Sequence, residues 1–101
     1  MLEIRPTCEN CNKKLPNHSD EAMICSFECT FCNTCVEEIL ENVCPNCGGG
    51  FEKRPIRPLN AIHGNSIKKF PQSKTVVYKP IDIRFLQEIL VQYKNIKPSK
   101  R

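Results

Sequence analysis

Tryptophan is absent from these 101 residues, and five phenylalanines and two tyrosines are the whole aromatic stock. A chain so poor in large rings has little with which to build an apolar core. Domains of this size usually add a staple of another kind. No apolar run approaches the ~20 residues of a membrane-spanning helix. The opening Met1-Leu2-Glu3-Ile4-Arg5-Pro6 lacks the apolar stretch of a secretory leader. Both absences lead us to expect a cytoplasmic protein with no membrane partner. Glycine is scarce, and Gly48-Gly49-Gly50 lacks the following Lys-Ser/Thr of a phosphate loop. No nucleophile–base pairing is visible either, so no enzyme is expected.

What the chain does have is cysteine. Its eight fall between Cys8 and Cys47 in close pairs: Cys8/Cys11, Cys25/Cys29, Cys32/Cys35 and Cys44/Cys47. Three pairs are C-x-x-C, a spacing in which one tight turn aims two sulfurs at one ion. A reducing compartment favours metal over disulfides, and regular doublets resemble ligand pairs more than any of the 105 possible disulfide connectivities. Structural zinc takes four ligands in a closed tetrahedron. Eight thiolates therefore predict two Zn2+ per chain, and His18 and His63 are read as surface residues.

The pattern predicts a small, zinc-stabilised α+β fold in three parts. Residues 1–51 form the two-zinc module. Leu2 and Ile4 alternate with polar residues as a short edge strand, and Asn12 to Glu21 is a loop. Ala22 to Phe31 is a hairpin turning near Ser26-Phe27, with Cys25 and Cys29 on its arms. Thr34 caps a short helix from Val36 to Glu41 whose apolar face is Val36, Ile39 and Leu40. Gly48 to Gly50 is a flexible exit. Residues 52–80 form a basic, proline-containing extended segment packed on the module, irregular over 59–73 and with a short strand at Thr75–Tyr78. Residues 81–101 hold an amphipathic helix, capped by Asp82 and running to about Asn95, and a frayed tail. Its stripe is Phe85, Leu86, Ile89, Leu90 and Tyr93.

The pairs combine in two ways. A sequential assignment joins Cys8, Cys11, Cys25 and Cys29 on one ion and Cys32, Cys35, Cys44 and Cys47 on the other. A crossed assignment joins Cys8, Cys11, Cys32 and Cys35 (site 1), and Cys25, Cys29, Cys44 and Cys47 (site 2). The order knuckle, hairpin, helix start favours the crossed form, because a knuckle and a helix N-terminus converge on one ion in a treble clef.

The spacing C-x2-C-x13-C-x3-C-x2-C-x2-C-x8-C-x2-C resembles an all-cysteine RING-finger cross-brace, with Cys44-Pro-Asn-Cys47 matching its C-P-x-C ending. More closely, the chain resembles short bacterial proteins grouped as domain of unknown function 1272. The likeness rests on Met1–Pro6, Ile24–Cys32, Val43–Gly49, Arg54–Pro58 and Lys69–Pro80. It implies the same cysteine positions and carries no activity.

Charge is divided. Residues 1–51 carry three basic groups against eight acids, and residues 52–101 twelve against three. The simplest reading is mutual attraction of the halves. These features lead us to expect a non-catalytic module that binds a protein partner. One alternative is nucleic-acid binding through Lys68, Lys69, Lys74, Lys79 and Arg84. Another is a ubiquitin-ligase-like scaffold, from which the chain departs at Asn10, at Gly48 and in its missing tryptophan.

Overall fold

A computed structural model describes all residues, 1–101. Strands β1 (Ala22–Ile24), β2 (Thr30–Cys32) and β3 (Glu52–Lys53) form one antiparallel sheet in the order β2-β1-β3. In β1–β2, Ala22 faces Cys32, Met23 faces Phe31 and Ile24 faces Thr30. Cys25 and Cys29 lie beyond the strand ends, in the turn itself, where Cys25 N–H donates to Cys29 O at 3.1 Å. The hairpin is thus shorter than its alternation suggested.

The expected helix after Cys35 is a single wide turn, Cys35–Ile39, in which Leu40 N–H donates to Cys35 O. That winding buries Val36 and Leu40 and leaves Ile39 outside. Thr34 makes no side-chain cap, because its own backbone is already helical. Neither expected outer strand forms. Residues 2–4 and 75–78 have no neighbouring strand, and strand propensity counts only against a partner. Arg57 and Ser73 satisfy the carbonyls of Leu2 and Ile4 instead.

The rear half is tied to the front by arginine. Arg54, 1% exposed, donates to the carbonyls of Arg5, Leu15 and Pro16. Arg57 donates to those of Leu2 and Phe70. Helix α1 (Ile83–Tyr93) begins where Asp82 Oδ1 accepts from the N–H groups of Arg84 and Phe85. Its Leu86 is buried in the core, with Ile89 and Leu90 packed beside it. The tail does not fray. Pro98–Lys100 makes a 3-10 turn, and Arg101 Nη1 donates to Asn42 O at 2.8 Å. Pro98 sits so close over Gly50 that a Cβ there would lie 2.8 Å from its Cγ.

Candidate metal centre

The first and last knuckles are built alike. In the first, Cys8 N–H donates to Lys13 O at 2.9 Å and Asn12 N–H to Cys8 O at 3.0 Å. In the last, Cys44 N–H donates to Gly49 O and Gly48 N–H to Cys44 O, both at 2.8 Å. Each loop closes on a left-handed residue, Asn12 at φ 62° and Gly48 at φ 79°. Asparagine and glycine are the residues that tolerate this region. Gly48 is therefore a required part of its loop and not a loose exit. The hairpin turn does the same in one residue less, with Glu28 at φ 66°. Backbone N–H groups also reach sulfur: Phe27 to Cys25 and Gly49 to Cys47, each at 3.4 Å.

These turns bring the sulfurs together in the interleaved order. The Sγ atoms of Cys8, Cys11, Cys32 and Cys35 all lie within 4.8 Å of one another. Cys8 and Cys35 are 3.8 Å apart, and Cys11 and Cys32 are 3.7 Å apart. A tetrahedron of Zn–S bonds of about 2.3 Å has sulfur–sulfur edges of about 3.8 Å. Two edges of this cluster match such a tetrahedron, and the other four lie within 4.8 Å. Cys25, Cys44 and Cys47 form a second cluster at the same mutual limit. Cys29 lies outside that limit, next to the second cluster in the hairpin turn that also carries Cys25. All eight cysteines are free thiols, and only Cys11 and Cys47 are exposed.

Burial sets the charge these thiols carry without an ion. It raises Cys25 to about 11 and pushes Cys32 and Cys35 up as well. Cys44 also moves up, first because its thiol donates to Cys29 and then because it is buried. Cys29 takes the benefit and falls to about 5, helped by the Asn46 amide and Arg5. At Cys11, hydrogen bonds from Lys13 N–H and the neighbouring thiols overcome burial and lower it. Buried thiolates need a compensating cation, and a metal ion held between the sulfurs of a cluster could supply it.

Three residues around the sulfurs were not legible as site residues. Asn10 Nδ2 donates to Cys35 Sγ at 3.4 Å while its Oδ1 accepts from Ile81 N–H. Glu9, 3% exposed, accepts from Arg5, from Thr30 N–H and from the Asn46 amide. Asn46 stands between Cys44 and Cys47. The only hint in the sequence was their position inside the knuckles. His18 and His63 belong to neither cluster.

The profile of the family described as "Protein of unknown function (DUF1272)" matches residues 1–57, the span that holds every cysteine together with Arg54 and Arg57. An uncharacterized protein of Rhizobium meliloti (strain 1021) is 50% identical over 80 residues, covering 79% of this chain and 89% of that protein. No solved structure matches.

Proposed function

The chain belongs to the DUF1272 family, and from its sulfur geometry we propose that it is a non-catalytic, cytoplasmic protein-interaction module folded around two zinc ions. Cys8, Cys11, Cys32 and Cys35 hold the first ion, and Cys25, Cys29, Cys44 and Cys47 the second, in a RING-like, treble-clef cross-brace. The observation that carries this reading is the near-tetrahedral spacing of the first four sulfurs, 3.7 and 3.8 Å along two edges. Four thiolates close the coordination sphere and leave no position for an activated water, which argues against metal catalysis. Zinc in place of a harder ion follows from the all-sulfur donor set.

The nucleic-acid alternative rests on Lys68, Lys69, Lys74, Lys79 and Arg84 alone, since the other two cations of the same segment, Arg54 and Arg57, spend their guanidinium groups on backbone carbonyls. The ubiquitin-ligase alternative has no observation in its favour beyond the cysteine spacing. Residues 1–51, 52–80 and 81–101 remain our division of the chain, although β3 ties the second part into the sheet of the first.

Chelation under reducing conditions tests the reading. Each structural site contributes on the order of 10 kcal/mol of folding free energy. Stripping both ions, or the change Cys32→Ser, is expected to unfold the front half, as seen by circular dichroism and elemental analysis. A compact, metal-free protein after exhaustive chelation would defeat the proposal.

A further inference from the structure

Glu9 is a buried carboxylate that the metal reading leaves unused. It sits between Cys8 and Cys11, inside the knuckle of the first cluster. Two of its donors stand beside cysteines assigned to the second. Thr30, the residue after Cys29, gives its N–H to Glu9 Oε2 at 3.0 Å and accepts Glu9 N–H in return. Asn46, between Cys44 and Cys47, gives its amide to Glu9 Oε1 at 3.2 Å. Arg5 supplies the countercharge at 3.2 Å.

We propose that Glu9 is the positioning residue through which the two thiol clusters fill with metal as a pair, each ion preparing the site of the other. The inference rests on the two-zinc reading above. The physical reason lies in desolvation and ordering. A carboxylate taken out of water is costly unless every acceptor position is met. Loading the first cluster fixes the Cys8–Cys11 knuckle and commits Glu9 to its buried position. One of its three donors, Asn46, then still belongs to a knuckle that only the second ion holds in place, and Thr30 follows Cys29 at the start of β2. Binding of that second ion completes the hydrogen bonds. It also costs less ordering entropy, because Glu9 already presents the acceptor around which Asn46 and its knuckle must settle. The interleaving of the cysteine pairs along the chain acts in the same direction, since the Cys25–Cys29 turn lies between the two halves of the first cluster. By reciprocity the same factor applies whichever site fills first. Couplings of this kind are typically ~5–150-fold in affinity.

Native mass spectrometry of the reduced, full-length chain reads this directly. Zn2+ is added to one equivalent per chain, and the chains carrying none, one and two ions are counted. Independent, equal sites would leave about half the chains with a single ion. The expected result is a mixture of empty and doubly loaded chains with the single-ion form well below that share. Glu9→Gln removes the charge and should raise the single-ion form toward the statistical share while both sites still fill at excess zinc. Asn46→Ala, which cuts the link from the other side while the Glu9 carboxylate stays in place, should do the same. A wild-type chain that accumulates the single-ion form overturns the proposal and leaves the two-zinc reading intact. So does a single-ion share unchanged in both variants. A chain that takes up no zinc at excess overturns both.

Discussion

Cys25 and Cys29 are joined by a hydrogen bond, yet burial takes one thiol up to about 11 while its neighbours bring the other down to about 5. For the metal-free fold the signs differ. Cys29 contributes stability above the ordinary cysteine value of 9.0 that is lost as pH falls through about 5. Cys25 contributes stability below 9.0 that is lost as pH rises toward 11. Loading reverses the second sign, because an ion must displace the protons that burial holds on Cys25, Cys32, Cys35 and Cys44. Zinc affinity should therefore climb with pH and weaken on acidification. Competition with a chromophoric chelator at several pH values checks this, and a flat profile through neutrality would contradict it. Arg54 poses a different residue-scale question. Burial lowers its pKa, and no carboxylate offsets that burial. Arg54→Met strands the carbonyl of Arg5, whereas Pro16 O keeps the Ser19 N–H and Leu15 O keeps the Gln72 amide. One unmet acceptor at ~1–3 kcal/mol, less the relieved burial of a cation, predicts a loss of about 1–2 kcal/mol in urea melts of the loaded protein.

At the scale of elements, α1 is held by few contacts. Leu86 is its one fully buried side chain, while Phe85 is 48% and Val91 82% exposed. Leu86→Ala should cost about 2–3 kcal/mol, the low end for buried leucines because the site is shallow. Asp82→Ala should cost about 1 kcal/mol through the lost cap. Thermal melts of the loaded protein give both numbers, and equal losses would mean that the helix is held by its cap and not by its packing. The sheet is short for a related reason. Its strands are two or three residues long, so the cysteine turns at its end and the edge-on Phe31–Phe51 pair, 5.5 Å between centroids, hold it in register.

For the molecule as a whole, sulfur stands in for missing carbon. Six of the thirteen residues in the main buried cluster are cysteines, and the envelope is only 18 Å in its thinnest direction. The acidic front and basic rear meet in one ion pair at the edge of contact distance. Only Lys94–Glu41, at 4.0 Å, joins them, whereas Arg5 pairs with Glu3 and Glu9, and Lys13 with Glu21, inside the front half. The halves are joined by arginine-to-carbonyl hydrogen bonds, which salt screens little. Raising salt from about 0.1 M to about 1 M, where the screening length drops from ~10 to ~3 Å, should leave the urea midpoint of the loaded protein almost unchanged. A large drop would restore attraction between the halves as the dominant link.

Cysteine spacing alone determined that this is a small cysteine-rich fold with eight thiols in four close pairs, because a C-x-x-C turn is closed by its own backbone. The helix from Asp82 was equally legible, since a cap followed by a 3.6-residue stripe is local information. Tertiary structure decided what depends on a distant partner. The run at Thr75–Tyr78 found no strand to pair with, and Glu52–Lys53, with no pattern of its own, found β1. Arg54 reads as a surface cation in a basic arm, yet three carbonyls brought together from Arg5, Leu15 and Pro16 make its buried place. Glu9 reads as one more acid, and only folding sets Thr30 and Asn46 against it. Local geometry is written in neighbours along the chain, whereas the satisfaction of a buried charge is written in residues that only folding brings near.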